Sequence, residues 1–380
     1  MSLKLLKSKW VAVPFIFLLS FQLFAGPREQ AYRIHNRITG APPSQAVLNQ
    51  MQSLIASGQI DSAIMIAIED PKFYNVTLKN WVKKWTNVDQ TNRVPLNDFV
   101  ATMIGGVRDN IPFNDLLTEN ILYTSNTMNG NVDPYAMDSN DHYEDLERLN
   151  IDLKATLIQR TQSTLNGITA PSGVVTSRAS AEAFFSAGTN RRVNRFLFMN
   201  FLCKDYENLH DITVPDVYVR RDVDRQPGGD SRQFKNTCVG CHAGQDALGG
   251  AWAYYDWDGD KLVYTQGTVV PKINANNVFS EGYVVQNDNW HNLWASGQNS
   301  SLGWTGAQAG SGGRSFVQNL TRTTAFSSCM AEQTYQWVCL NKPVQGAKDR
   351  VESIAREFET VDNYNFKRLL TKVMSECVGE

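Results

Sequence analysis

Apolar positions along this chain recur at helical spacing far more often than in alternation. After Ala41-Pro42-Pro43-Ser44, the residues Val47, Leu48, Met51, Leu54 and Ile55 fall at offsets of three and four. That spacing predicts a helix capped by Ser44 and ended at Gly58. Ile60 to Glu69 predicts a second, more buried helix, stopped by Pro71. Leu78–Trp85 and Leu96–Val107 predict two more, and Leu146, Leu149, Leu153 and Leu157 predict one long amphipathic helix from Tyr143 to Leu165. Ala179 to Cys203 predicts two helices broken at Gly188, and Ala325–Leu340, Lys348–Val361 and Phe366–Cys377 complete the set. Only Tyr254-Tyr255 to Tyr264, around Asp256-Trp257-Asp258-Gly259, suggests a hairpin. The expected fold class is mainly α, with at most a small β hairpin.

Asn166 to Ser172 and the glycine-rich stretch Gly303 to Gly313 look like a linker and a mobile loop. They suggest an N-terminal helical domain over 26–167 and a second helical domain over 168–380. No repeat is visible.

At the N-terminus, Lys4, Lys7 and Lys9 precede an apolar run from Val11 to Phe24. A basic region before a short apolar run reads as a secretory signal over 1–25. The run is short for a membrane span, which needs about 20 apolar residues, so no stable span is expected once the signal is removed. The expected location is periplasmic or secreted, in a Gram-negative bacterium. The 36 Lys and Arg nearly balance the 38 Asp and Glu, which gives no field for nucleic acid.

Six cysteines follow the signal. Two of them, with the next residue, form Cys238-Val239-Gly240-Cys241-His242. Each thiol of such a motif can add across a haem vinyl group, and the adjacent imidazole is then placed to bind the iron. A zinc ribbon needs a second ligand pair, and the other cysteines are single. A thioredoxin-like pair needs a βαβ setting, whereas the surroundings read as helical. Covalent attachment of one haem c at Cys238 and Cys241, with His242 proximal, is the reading that agrees with an export signal.

Cys203, Cys329, Cys339 and Cys377 remain. Within one helix Cys329 and Cys339 would stand about 15 Å apart, and a bridge needs Cα atoms within roughly 7 Å. Each is therefore expected to pair with Cys203 or Cys377.

Several segments resemble the planctomycete-type cytochrome c proteins: Gly173 to Cys203, Cys238 to Gly249 and Tyr255 to Gly259, with Phe99–Leu122 upstream and Asn363–Glu376 at the end. Those proteins carry C-x-x-C-H-x-x-x-D-P-x-G, and here Ala247 stands where the pattern has proline. The resemblance implies an exported, mostly helical protein with a cytochrome c-like haem-binding region embedded in a larger helical body. It supplies no reaction.

The iron's sixth ligand is not legible. Met330, His291 and His142 are the candidates, alongside a vacant position. A methionine would suit electron transfer with a redox partner protein, and a vacancy would suit a haem oxidoreductase, or the chain would be the haem module of a larger exported complex. A third reading is a binding protein in which haem is structural. Arg191, Arg192, Arg195, Arg220, Arg221 and Arg225 form a basic stretch, expected to be mostly solvated, with one or two free to pair with haem propionates. Asp256-Trp257-Asp258-Gly259-Asp260 lacks a calcium loop's length and closing Glu, and reads as a turn.

Overall fold

The computed structural model describes residues 25–126 and 131–378. The expected signal segment lies outside them except for Ala25. Helix α1 (Pro27–Thr39) is the first among the described residues. Proline at the first helical position gives up an N–H that has no partner there anyway. Ala31, Ile34, His35 and Ile38 bury one stripe, but Arg28, Arg33 and Arg37 break up the hydropathy pattern that would announce it. Helix α2 (Gln45–Ala56) begins as expected, with Ser44 Oγ accepting from Val47 N–H at 3.3 Å. Helix α3 (Ile60–Ile68) follows. A π-helical turn at Phe73–Leu78 leads into the short Lys79–Lys83 helix, and then α4 (Asp98–Arg108) is capped by Asn97.

The single helix expected over Tyr143–Leu165 does not form. The chain makes α5 (Asp141–Arg148) and turns at Asn150, whose φ of 50° is left-handed. A short helix at Leu153–Thr156 follows under an Asp152 cap. Strand β1 (Leu122–Ser125) then pairs antiparallel with β2 (Leu157–Arg160). Asn and Asp compete for backbone hydrogen bonds and favour turns and caps. Asn150 and Asp152 therefore interrupt a pattern that leucine spacing alone would sustain.

Beyond this point come α6 (Arg178–Phe184) and α7 (Arg191–Phe201), separated at Gly188 as expected. Asp98, buried at the start of α4, accepts from the N–H groups of Arg178 and Ala179 at 2.6 and 3.0 Å, docking α6 onto α4. Helix α8 (Val239–Leu248) precedes the expected hairpin, β3 (Tyr255–Asp258) with β4 (Lys261–Tyr264). Strand β5 (Asn289–His291) pairs with β6 (Ala309–Ser311). The glycine-rich stretch expected as a mobile loop is thus partly a strand. Helices α9 (Gly313–Leu320), α10 (Thr324–Cys339), α11 (Gln345–Thr360) and α12 (Phe366–Glu376) close the chain. The protein is mainly α, with three small two-stranded sheets among the described residues.

One contiguous buried cluster runs from Ala31 to Val378 and crosses the expected boundary between residues 167 and 168. Asn166–Ser172 is packed: Ile168 and Ser172 are buried, and Ser172 Oγ donates to the Leu117 carbonyl at 3.0 Å. The two ends of the chain share one bundle, with α3 against α12 and α1 against α10. Trp81 stacks on Trp337 and Phe366 in that seam, at 4.8 and 5.4 Å between ring centres. The disulfides are Cys203–Cys329 and Cys339–Cys377, so Cys329 and Cys339 each pair outside their own helix as expected. Among the described residues no helix is long and apolar enough to cross a membrane.

Candidate functional site

Cys238, Cys241 and His242 sit at the start of α8, fed by a π-helical turn at Phe234–Cys238. Spacings of three and four place both thiols and the imidazole on one helix face. All three are half-buried, while Val239 and Gly240 between them are buried. The opposite face is pressed into the fold. A Cβ on Gly240 would lie 2.5 Å from the His210 ring, and one on Gly244 would lie 2.0 Å from the Trp294 indole. The stretch before the motif is clamped as well. His210 Nε2 lies 3.0 Å from the Thr237 carbonyl, and Asp211 N–H donates to the Gly240 carbonyl at 3.0 Å.

The cysteines divide cleanly. Four are in disulfides, and Cys238 and Cys241 remain thiols. Cys241 Sγ–H donates to the Tyr206 carbonyl at 3.5 Å. Burial, with Glu207 and Asp205 nearby, pushes the Cys241 thiol above its ordinary range.

His242 is oriented from its own helix. Its Nδ1 lies 3.4 Å from Asp246 Oδ2 and 3.2 Å from Gln245 Nε2. Its Nε2 takes part in no protein hydrogen bond among the described residues, which leaves that nitrogen as a ligand atom. Ligating histidines commonly have their second ring nitrogen held this way by a carboxylate or carbonyl.

Asp246 is buried beneath the motif. Arg191 grips it through Nε and Nη2 at 2.5 and 2.9 Å, and Arg191 also reaches Asp222 at 2.6 and 2.7 Å. The Arg220 N–H donates to Asp246 Oδ2 at 3.0 Å, with the Arg220 guanidinium Nε 3.6 Å from Oδ1. Burial opposes ionisation of Asp246, but Arg220, Arg191 and the His242 contact outweigh it and hold the carboxyl far below its usual range. Burial lowers Arg220 to about 10, which still leaves it a cation at neutral pH. These two arginines therefore belong to a buried ion network rather than to a solvated stretch. Cys-x-x-Cys-His alone does not announce Asp246, but the longer pattern C-x-x-C-H-x-x-x-D places it four residues after His242. Its arginine partners lie 55 and 26 positions away and are found only in the fold.

The remaining arginines find other partners. Arg195 pairs with Asp205 at 2.6 Å, Arg192 and Arg221 donate to backbone carbonyls, and Arg225 lies over Phe234 and Phe279. Asp256, on β3, pairs with Lys272 beyond the hairpin at 2.5 Å, and the turn expected here is made by Gly259 and Asp260, with φ of 56° and 63°.

The three sixth-ligand candidates fall in different places. His142 is buried beside β1; its Nε2 accepts from Ser125 N–H at 3.0 Å and its Nδ1 lies 2.7 Å from the Asp133 carbonyl. Burial lowers its pKa, as suits a neutral ring with both nitrogens used. Met330 is fully buried on α10, which packs on α11, α12 and α7. His291 lies on β5, which packs against α8, and its ring stacks on Tyr218 at 4.5 Å.

The residues present fit a covalently held haem. Two thiols and an imidazole share a face, and buried polar atoms near α8 lack hydrogen-bond partners: Tyr206 Oη, Trp294 Nε1, and Nε and Nη2 of Arg220. Exposed apolar side chains flank the motif. Ile212 follows the Asp211 clamp, and Val217 borders a 350 Å³ cavity with Phe234 and Lys235 just before Cys238. Among the described residues no group of three or more His, Cys, Asp or Glu side chains is arranged to hold a bare metal ion. A haem iron needs no such group, because the tetrapyrrole supplies its equatorial ligands. Compared with known proteins, the chain matches no family model, no curated protein and no solved structure.

Proposed function

We propose that the chain is an exported c-type cytochrome with one haem, bonded to Cys238 and Cys241 and held by His242 as proximal ligand. It exchanges single electrons with a redox partner protein. The observation that carries this reading is the division of the cysteines: four are bonded, and the two left as thiols share a helix face with an imidazole whose Nε2 is unengaged. In attachment, each S–H adds across a vinyl double bond; a C–S bond forms and the hydrogen passes to the neighbouring carbon, with no net oxidation. The bound haem supplies a one-electron iron couple. The chain's own residues orient it: Asp246, facing Nδ1–H, fixes the His242 ring, and Arg191 and Arg220 hold Asp246 ionised. Two disulfides suit an oxidising, extracytoplasmic compartment.

A second reading, a haem oxidoreductase with an open distal position, gains from the engagement of both His142 nitrogens and the burial of Met330. One experiment bears on both readings. The protein is produced with a haem c maturation system, extracted with acidic acetone, and its spectra are taken with and without carbon monoxide. Haem that stays with the protein supports attachment. A low-spin spectrum indifferent to carbon monoxide supports the carrier, and a high-spin, carbon-monoxide-binding spectrum supports the enzyme. Haem lost to the solvent rules out the proposal.

A further inference from the structure

Helix α10 ends on a residue in the left-handed region, a position where glycine is common because it lacks a Cβ. Here that residue is Leu340, with φ 60°. Branched apolar side chains rarely adopt this conformation. Burial does not offset the strain, since Leu340 is 72% exposed. Cys339, one residue earlier, is bonded to Cys377, so the leucine projects from a fixed support.

Leu340 lines a 620 Å³ groove together with Tyr32 and Leu48, and with Arg28, Arg33 and Arg37 of α1. Tyr32 is 47% exposed, and Val344, on the connection from Leu340 to α11, is 66% exposed. Lys342 lies on the same connection. Glu29 is the acid that shares the groove. Arg28 hydrogen-bonds the neutral amides of Gln45, Asn49 and Gln52, and Arg33 donates to the Val378 carbonyl. Projecting apolar tips ringed by cations are the chemistry of a face that sits in a lipid headgroup layer.

The chain outside the described residues favours a lipid occupant over an acidic protein. Residues 1–24 carry three lysines and an apolar run. They join the protein just ahead of Arg28, at the lip of this groove. In a precursor tethered to a bilayer by that run, the point of attachment lies beside this face.

We propose that the face formed by helix α1 and Leu340 docks the protein on an anionic lipid surface, with Leu340 and Tyr32 entering the headgroup layer and the arginines meeting lipid phosphates. The proposal does not depend on the haem reading. Its test uses the exported chain, its N-terminus fixed by mass spectrometry, in flotation with two kinds of vesicle. One is equal parts phosphatidylglycerol and phosphatidylcholine, and the other is phosphatidylcholine alone. Binding is expected on the anionic vesicles and not the neutral ones, and it weakens with salt. Arg28→Gln and Arg33→Gln each reduce it about fivefold. Leu340→Asn keeps a backbone that asparagine tolerates, so its melting temperature holds while its vesicle binding falls. Binding that is equal on both vesicles, or unchanged in Leu340→Asn, overturns the proposal. A lower melting temperature for Leu340→Asn does so too, by showing that the leucine packs. Capture of polyglutamate without vesicle binding reassigns the face to an acidic protein.

Discussion

Asp246 stands one helical turn beyond His242, with Oδ2 3.4 Å from the imidazole Nδ1, while Arg191 holds the same carboxylate through two hydrogen bonds. The motif's histidine is thereby tied to a charge network that anchors α8 to α7. Breaking one member of a buried pair leaves the other charge uncompensated and costs about 3–5 kcal/mol. Asp246→Asn is expected to lower unfolding stability by about 3 kcal/mol in urea titrations. Arg191→Met breaks the same contact and also deprives Asp222 of its partner, so the double mutant should lose less than the sum of the two single losses. A fully additive double mutant would show that the two side chains do not act as a pair. With haem attached as proposed, Asp246→Asn should also raise the reduction potential, since an anion beside the proximal imidazole favours the oxidised iron.

His291 is the candidate sixth ligand carried on a strand that packs against α8. On the carrier reading with His291 bound, His291→Ala turns a low-spin visible spectrum into one that responds to carbon monoxide. Met330→Ala instead costs about 2–5 kcal/mol of stability, as for any fully buried methionine, and leaves the spectrum alone. A spectrum changed by Met330→Ala and untouched by His291→Ala would reverse this assignment.

Cys339–Cys377 ties α10 to the end of α12, and Cys203–Cys329 ties α7 to α10. Peptide mapping without reductant should recover these two pairs, with Cys238 and Cys241 in neither. Cys339→Ser with Cys377→Ser is expected to cost about 2–4 kcal/mol. Cys238→Ser with Cys241→Ser should leave the urea midpoint of haem-free protein nearly unchanged and abolish covalent haem. Scrambled pairs involving Cys238 would undercut the division of the cysteines on which the functional reading rests.

The helical class was legible because most helices bury an apolar stripe and carry plain boundary signals: the Ser44 cap at the start of α2, Gly188 between α6 and α7. Tyr143–Leu165 was misread because leucines at a spacing of three and four outweighed two short polar residues. The outcome there was decided by pairing of Leu157–Arg160 with Leu122–Ser125, a partner more than thirty positions away. Strands β5 and β6 were hidden for the same reason, since three-residue strands carry almost no periodicity. At the site, the thiols and His242 were readable because they are adjacent in sequence. Asp246 was readable in principle. Arg191 and Arg220 were not, because a buried cation is distinguished from a solvated one only by what folds over it.

Glu147 gives the fold a calculable response to acid. Its Oε1 lies 2.8 Å from Lys79 Nζ and 2.6 Å from Lys83 Nζ, and its Oε2 accepts from Leu96 N–H at 2.7 Å. Burial alone would raise its pKa, but the two ammonium groups and the N–H outweigh burial and push it from 4.5 down to about 2. The folded value lies below the unfolded one, so folding favours the carboxylate. The resulting stability is fully present above about pH 4.5 and is lost as pH falls toward about 2. A shift of this size corresponds to at most about 3.4 kcal/mol, which solvent screening at a partly exposed site lowers to roughly 2–3 kcal/mol. Glu147→Gln should therefore be less stable than the parent by about that amount at pH 7. The gap should narrow steadily as urea titrations are repeated at lower pH, because the parent alone loses the ion pairs. A gap that stayed constant down to pH 2 would mean that Glu147 acts by packing and hydrogen bonding, with its charge making no net contribution.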